Sequence, residues 1–539
     1  MTAEPHAFLT IEIGAATTSV ALIGQSGGSW RLIGQFAMPA DTDVDAAIDL
    51  LLERTRAADP ELASALGIDG IVPDQLARLE VRSRRPRRLA VISGSERTLA
   101  GLVDTAARSG WRVTAASAET TDPLAMTRLL LDRDVDAFLV GAADPPRSDE
   151  RAAIRELAAL VAAAALRRPD VPVVLAGAMA EGLEAFGDVS SRTGEVVLAA
   201  PPVVATGAHA TDPDVLGDLL LELALPVDDP RRALGAAAHA LAEVLDRRIE
   251  VIVLGHDATA RVLADPPSGG TEGAVRLAVV PAAAVAPDDP DDAIVDGVLQ
   301  WSTVPSDRHR LRDRLRELRI APWADAAGDG AALRMAAARA ALVRLAAATP
   351  AFEGAPAPDL VVAGGGVWSA VPAATVALAH VDVIRRPGAT QYALDHARLL
   401  GALGAIPDPD ERLALLTDLA DDLLAQLGSI VTPAGMRAGR SAGSVFVHGP
   451  EGTTEHPLLP GGLELVDLAP GATAIAEFRF RDRVKLGGRG RHFAVDVTGG
   501  LGGLVVDLRD VPLRLPERAD RRRDLLAAWQ SALWAGSDG

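Results

Sequence analysis

The chain has 539 residues, of which 49% are apolar and 23% charged, with a formal net charge of −20 and no cysteine. This length exceeds what one hydrophobic core supports, so we expect two or three domains. The negative charge argues against nucleic acid or anionic membranes as general partners, and the lack of cysteine excludes disulfides and cysteine-ligated metals.

The sequence shows no pattern of a leader or a membrane anchor. The first residues, MTAEPHAFLT, have neither a basic start nor a long apolar segment, and the apolar run Ala158–Leu166 is rich in alanine and flanked by arginine. A membrane-spanning helix needs about 20 apolar residues, so we predict no membrane span and a cytoplasmic location. Lys485 is the only lysine, which leaves none for a lysine-dependent phosphate loop.

The segment Phe8–Gly24 predicts a β-hairpin with a tip of small residues. Two apolar runs enclose Gly14 and the hydroxyl residues Thr17, Thr18 and Ser19. Such a tip lets backbone N–H groups and hydroxyls approach a ligand closely, and phosphate is the usual ligand. An ordinary tight turn in a sheet is the alternative interpretation.

Between residues 89 and 176, short apolar runs alternate with helical patterns. This alternation predicts a parallel sheet covered by helices, with any ligand-binding turns at the carboxyl ends of the strands. The arginine-rich stretch 82–88 precedes it. We interpret this stretch as a solvated strand entrance rather than a nucleic-acid patch, because no aromatic residue accompanies it.

Two further glycine turns follow predicted strands. One runs from Gly255 to Thr259 after the apolar run Ile249–Leu254, and it contains Asp257. The other is a run of three glycines, Gly364, Gly365 and Gly366. A strand that leads through glycines into a helix N-terminus suits the phosphate or adenosine of a nucleotide.

The C-terminal part has a different texture. From residue 431 to about 515, glycine, proline and alternating valine, phenylalanine and leucine predict a β-rich module, and Arg518–Trp534 predicts a closing amphipathic helix. We predict three units, at residues 1–235, 236–407 and 408–539.

The opening hairpin and the later glycine turns resemble the superfamily of sugar kinases, heat-shock chaperone ATPases and actin. The first loop of that superfamily reads Asp-x-Gly-x-Thr-x-Thr or Ser, and here Glu12 stands in place of the aspartate. The resemblance implies an α/β fold with two actin-like lobes, followed by the C-terminal β-rich module. It also implies that Gly14, Gly255 and Gly364–Gly366 open onto a cleft between the lobes.

Four runs narrow the resemblance: PDLVVAGGGVWS at 358–369, VDAFLVG at 135–141, VPVVLAG at 171–177 and GGLVVDL at 502–508. They are similar to the glutamate mutase accessory family, called GlmL or MutL and unrelated to the mismatch-repair protein. That family is associated with adenosylcobalamin-dependent carbon-skeleton mutases, and its implied task is ATP-driven release of damaged cobalamin. The resemblance implies ATP and Mg²⁺ as ligands, a mutase as protein partner and no directly bound cobalamin.

The resemblance also assigns roles to single residues. It implies that Glu12 positions Mg²⁺, directly or through water, and that Glu12 and Asp257 are the candidate catalytic acids. The implied nucleotide-binding residues are Gly14, Thr17, Thr18, Ser19, Gly255, Thr259, Gly364, Gly365 and Gly366.

The second loop departs from the family pattern Val-Asp-x-Gly-Gly-Ala-Thr-Thr-Asp. Aligned by sequence, Leu254 takes the place of the aspartate, and His256 and Asp257 take the places of the two glycines. Asp257 serves as the water-polarising acid if the register shifts, but we favour a drifted, non-catalytic loop. Arg261 is the nearest cation in sequence. We therefore expect at most a weak ATPase.

Three functions remain open from the sequence. The first is an accessory factor of the mutase type with weak or lost ATPase activity. The second is a pseudo-ATPase scaffold that binds a protein partner and turns over no nucleotide. The third, a small-molecule kinase, is disfavoured because we find no aspartate placed as a general base in a strand-to-helix turn.

Overall fold

The computed structural model describes residues 6–532, apart from 70–74, 147–149, 188–195, 200–213, 269–272, 323–327, 370, 372 and 438–439. The strands of the first half are β1 (Ala7–Ile13), β2 (Thr17–Ser26), β3 (Ser29–Pro39), β4 (Ala77–Arg82), β5 (Arg88–Ser93), β6 (Arg112–Ser117), β7 (Ala137–Ala142), β8 (Val173–Gly177) and β9 (Val196–Ala199). The later strands are β10 (Ile249–Leu254), β11 (Thr259–Ala264), β12 (Val275–Val280), β13 (Leu360–Gly364), β14 (Gly388–Asp395), β15 (Leu424–Thr432), β16 (Gly443–Gly449), β17 (Gly452–Leu458), β18 (Leu463–Val466), β19 (Thr473–Leu486), β20 (Gly488–Thr498) and β21 (Leu504–Asp507).

Helices cover these strands. The α-helices are α1 (Val44–Ala58), α2 (Pro60–Ala65), α3 (Glu96–Ala107), α4 (Pro123–Leu131), α5 (Glu150–Arg167), α6 (Val215–Ala224), α7 (Pro230–Leu245), α8 (Asp292–Trp301), α9 (Arg308–Ile320), α10 (Gly328–Ala348), α11 (Pro350–Glu353), α12 (Ala373–Val383), α13 (Leu400–Gly404), α14 (Pro409–Leu423) and α15 (Ala519–Ala532). Short 3₁₀ helices span Ala178–Phe186, Pro281–Ala283 and Gly366–Trp368. No helix in the described ranges is long and apolar enough to cross a membrane.

The same strand order begins both halves of the chain. The first sheet has the order β3-β2-β1-β4, and the sheet of the second half begins β12-β11-β10-β13. In each, the first three strands are antiparallel neighbours in an up-and-down arrangement, and the fourth is parallel to the first strand in sequence. This repeated β-β-β-α-β unit is the topology of an actin-like fold, so the predicted fold class is confirmed.

A five-stranded parallel sheet, ordered β6-β5-β7-β8-β9, is inserted after β4. Its central strands are continuous buried apolar runs, as expected for a sheet with helices on both faces. The backbone N–H of Gly110 donates to the carbonyl of Val279 in β12 at 2.8 Å. The insertion is therefore attached directly to the second half.

One hydrophobic core runs through the first sheet, the insertion and the second half. Helix α7 crosses this core with a face of alanine and leucine, and its N-terminus is capped by the buried carboxylate of Asp229. The predicted boundary between residues 235 and 236 falls inside α7. Helix α7 packs mainly on β10, β11 and β12 and on helices α13 and α14, and the division of the chain near this point stays a prediction.

The C-terminal part is also more integrated than the boundary at 408 suggested. Strands β15, β21 and β18 extend the second-half sheet to eight strands, with β14 paired to β15. A separate antiparallel sheet, β17-β16-β19-β20, packs its apolar face onto this extension. The predicted β-rich character is present, but three of the seven strands from β15 to β21 complete the second sheet.

Candidate functional site

The glycine turns of both halves line one cavity. The enclosed space is about 60 Å³ and opens to solvent, and its wall includes Gly14, Gly255, Gly365 and Gly366. The turns meet because the carboxyl ends of β1, β10 and β13 point to the same place in the fold.

The hairpins at Gly14 and Gly255 are structurally equivalent. Ile13 pairs with Thr18 and Leu254 pairs with Thr259, so the registers agree residue by residue. A side chain on either glycine would meet the carbonyl oxygen three residues later, at 2.7 Å in the first hairpin and 2.4 Å in the second. Both turns therefore need glycine for the same geometric reason.

This register corrects the alignment made from sequence. The counterpart of Glu12 in the second hairpin is Val253 rather than Leu254, because each precedes its glycine by two residues. Val253 is apolar, so the second hairpin still lacks an acid at this position. His256 and Asp257 occupy its tip, where the first hairpin has alanines.

A buried ion pair closes the floor of the cavity. Arg398 donates from Nη2 to Glu12 Oε1 at 2.6 Å and from Nη1 to Thr17 Oγ1 at 2.8 Å. The side chains of Arg398 and Glu12 are 5% and 13% exposed. Arg398 has a φ of +57°, a left-handed conformation that is uncommon for a residue other than glycine. The Arg398 guanidinium thus binds the Thr17 hydroxyl, which was predicted to bind the nucleotide. It also binds the Glu12 carboxylate, which was predicted to position Mg²⁺.

The other predicted hydroxyl ligands lie away from the cavity wall. Thr18 and Ser19 belong to β2 and are buried in the sheet. Thr259 donates from Oγ1 to the carbonyl of Ala283 at 2.6 Å. Strand alternation points Thr18 to the face opposite Thr17, so a hydroxyl run read from sequence cannot all face one ligand.

The three glycines at 364–366 have different positions and roles. Gly364 ends β13 and packs beneath Val253, while Gly365 and Gly366 reach the cavity. Gly365 has a φ of +103°, and a Cβ there would lie 2.2 Å from the carbonyl oxygen of Leu254. A Cβ on Gly366 would lie 2.0 Å from Thr17 Oγ1. The first hairpin and the third turn are therefore in direct contact.

The tip of the second hairpin is held by arginine. Asp257 is buried and pairs with Arg319, whose Nε also forms an ion pair with Asp288 at 2.8 Å. Burial lowers the pKa of His256 to about 4, and the positive charge of Arg319 is the second cause of this shift. The imidazole is therefore neutral near pH 7. Asp257 is therefore already engaged in an ion pair rather than presented to water.

Asp395 is a site residue that the sequence analysis missed. It ends β14 at the cavity wall and accepts hydrogen bonds from the backbone N–H groups of Leu399 and Leu400 at 2.9 and 3.1 Å. Burial raises its pKa to about 7, and the carboxylate of Glu12 contributes to the rise. The available sequence signal is an aspartate at a strand-to-helix turn, between β14 and α13.

Arg261, the cation nearest the second loop in sequence, has a structural role. It is fully buried and pairs with Glu250 and Glu353. Its guanidinium lies over the ring of Phe352 at 5.0 Å, and the cavity wall does not include it. Arg398 and Arg231 are the arginines that line the cavity.

Mg²⁺ bound directly by the protein does not fit these residues. The described ranges contain no cluster of three or more side chains suited to a metal, and Arg398 holds the Glu12 carboxylate. Mg²⁺ can bind through one or two carboxylates when substrate phosphates and water complete its shell. Contact with Glu12 through water therefore stays a prediction.

We expect the raised pKa of Asp395 to make this carboxyl destabilising as pH rises. The folded state binds the proton more tightly than the unfolded state, so stability falls from about pH 4 to about pH 7. Asp395→Asn should remove this slope while its amide oxygen still accepts a backbone hydrogen bond. Thermal unfolding of both proteins between pH 5 and 8 would check this, and a constant difference in midpoint across that range would contradict it.

Comparisons with known proteins match this chain only among solved structures. No protein-family model matches the chain, and no curated protein matches it. Among solved structures, the chain aligns with the Ppx/GppA enzyme of Aquifex aeolicus at 9% identity, a TM-score of 0.17 and coverage of 66% of this chain and 67% of that one. It also aligns with a PilM–PilN type IV pilus biogenesis complex at 14% identity, a TM-score of 0.23 and coverage of 75% and 98%. The fold assignment rests on the strand orders and registers given above.

Proposed function

We propose that the protein is an actin-like accessory factor that binds a nucleotide in the cavity and hydrolyses it slowly or not at all. The observation that carries the proposal is the convergence of two equivalent glycine hairpins and the turn at Gly365–Gly366 on one cavity. Backbone N–H groups that stay free at such turns favour phosphate, whereas the N–H of Gly14 already donates to the carbonyl of Thr17 at 2.9 Å. Arg231 and Arg398 line the same wall, and each is already paired with a carboxylate, that of Asp229 and that of Glu12 respectively.

The low turnover that we propose follows from the loss or pairing of the candidate catalytic acids. Phosphoryl transfer depends on positioning and on neutralising charge. Val253 replaces an acid, Glu12 is paired with Arg398, and Asp257 is paired with Arg319. Loss of one electrostatic contributor commonly costs about 10²–10³ in rate, and here more than one is compromised.

The proposal also includes a protein partner for the accessory factor. On the resemblance of the sequence to the GlmL/MutL family, we propose that it is an adenosylcobalamin-dependent mutase. ATP and ADP would then need different affinities for two conformations of the accessory factor, since a ligand shifts an equilibrium only by its differential affinity.

The alternative is a scaffold that binds no nucleotide, and one contact favours it. The Arg398 guanidinium already satisfies both Glu12 and Thr17, so a phosphate would have to displace it or bind above it. In this case the fold serves as a rigid platform for a protein partner.

Calorimetry and thermal-shift measurements with Mg-ATP separate the two functions. We expect saturable binding at millimolar ATP or below, and phosphate release near background. Absence of both heat and shift would favour the scaffold. Release at the 1–100 s⁻¹ typical of kinases, abolished by Glu12→Ala, would show that the second hairpin supports catalysis after all.

A further inference from the structure

The chain carries a concentrated basic surface that the nucleotide cavity does not use. Between positions 479 and 491 there are six basic residues and a single acid, Asp482, in a chain whose net charge is −20. They lie at the distal ends of β19 and β20, where the two strands join at Gly487. We call residues 479–491 the basic hairpin.

Most of these cations have no counterion. Arg479 pairs with Glu477, and Asp482 is taken by Arg437 and Arg440. The remaining cations are exposed, and no carboxylate of the described residues pairs with them; they are Arg481, Arg483, Lys485, Arg489 and Arg491. By contrast, the arginine-rich helix α9 is matched by acids, as Arg308 with Asp296 and Arg312 with Asp292 show.

The same hairpin presents an open sheet edge. Strand β20 is the last strand in the order β17-β16-β19-β20, and within the described ranges it pairs only with β19. Alternate residues of an antiparallel edge strand direct their N–H and C=O groups away from their neighbour. An added strand would find both hydrogen-bonding groups and positive charge here.

We propose that the basic hairpin binds an acidic, extended segment of a partner protein, which adds to the sheet as a strand beside β20. Main-chain hydrogen bonds would provide affinity, and the cations would select carboxylates on the added strand. This proposal does not depend on nucleotide binding in the cavity.

Nucleic acid and membranes fit this surface less well. Single-stranded nucleic acids stack their bases on exposed aromatic rings, but Phe478 and Phe480 are buried and Phe493 faces the sheet's apolar side. The turn is Gly487–Gly488, with no large apolar side chain to enter a bilayer, and stable membrane attachment needs a second, apolar contribution.

The test uses a fluorescent peptide of about twelve alternating Glu and Thr residues, enough to span the 11 residues of β20. The full-length protein is titrated into the peptide and anisotropy is measured at several salt concentrations. A control peptide carries an N-methyl group on every backbone amide of Glu and Thr alike, which keeps the charge and removes all the N–H donors. We expect saturable, salt-sensitive binding of the first peptide and at least about tenfold weaker binding of the second.

Two protein variants locate the site. Arg483→Gln/Arg489→Gln/Arg491→Gln should weaken binding of the Glu/Thr peptide by about tenfold or more. The matched control, Arg97→Gln/Arg128→Gln/Arg133→Gln, removes three exposed cations from the helices and loops of the inserted sheet, where no carboxylate of the described residues pairs with them. It should bind as the wild type does.

Several outcomes would overturn the proposal. If both peptides bind equally well, the acidic segment does not bind as an added strand. If both protein variants lose peptide binding equally, the basic hairpin is not the binding site. Binding of a single-stranded oligonucleotide or of phosphatidylserine vesicles, without peptide binding, would assign the surface to another partner class. If no probe binds, the basic hairpin is not a binding site. Its charges then serve to protect the exposed edge of β20 from aggregation.

Discussion

Replacing Arg398 by methionine should lower the free energy of unfolding by about 3–5 kcal/mol, the usual cost of leaving one member of a buried ion pair without its partner. Arg398 and Glu12 are 5% and 13% exposed and lie 386 positions apart in sequence. The variant would leave the Glu12 carboxylate and the Thr17 hydroxyl without their shared donor. Chemical denaturation, compared through midpoint and slope, would measure the loss.

A second variant shows whether the ion pair itself is responsible. Glu12→Gln/Arg398→Met replaces both members by neutral groups of similar size, so it should recover a large part of the stability lost in the single variant. If the double variant is no more stable than Arg398→Met, the loss reflects packing of the arginine stem rather than the charge. A single variant within about 1 kcal/mol of the wild type would mean that the pair is exposed to water.

The substitution Gly365→Val should be the most damaging single change at the cavity. A Cβ at this position would lie 2.2 Å from the carbonyl oxygen of Leu254, and the φ of +103° is strained for any L side chain. Backbone would have to move, so we expect a destabilisation of more than about 3 kcal/mol and no thermal shift with Mg-ATP. Differential scanning fluorimetry with and without nucleotide measures both effects.

Gly94→Val is the matched control for this substitution. Gly94 lies in the turn after β5, and a Cβ there would meet no heavy atom within 4 Å. We expect this control to unfold close to the wild-type temperature and to keep its response to nucleotide. A Gly365→Val protein with wild-type stability and an intact Mg-ATP response would refute the close contact between the third turn and the second hairpin.

Local patterns in the sequence were enough to predict the architecture. Apolar runs that end in glycine predicted the hairpin at Gly14 and the turns at Gly255 and at 364–366, because strand period and glycine turns depend on neighbouring residues only. The alternation between residues 89 and 176 predicted the inserted parallel sheet for the same reason. The order of these elements was sufficient for the actin-like fold class.

Which side chains line the cavity depended on contacts between residues that are distant in the sequence. The Glu12–Arg398 pair joins the first strand to the turn after β14, and no local pattern reports a partner so far along the chain. The hydroxyls of Thr18 and Thr259 were predicted to face phosphate, but sheet pairing buried one and directed the other to a carbonyl. The register that equates Val253 with Glu12 likewise needed both hairpins in three dimensions.

The sequence by itself thus determined the strands, the glycine turns and the total charge, which are set by residues adjacent in the chain. Tertiary structure alone decided which side chains face the cavity, which arginine neutralises Glu12, and that the basic hairpin ends on an open strand edge. Burial and partner choice are properties of the packed fold, since they depend on groups that folding brings together from remote positions.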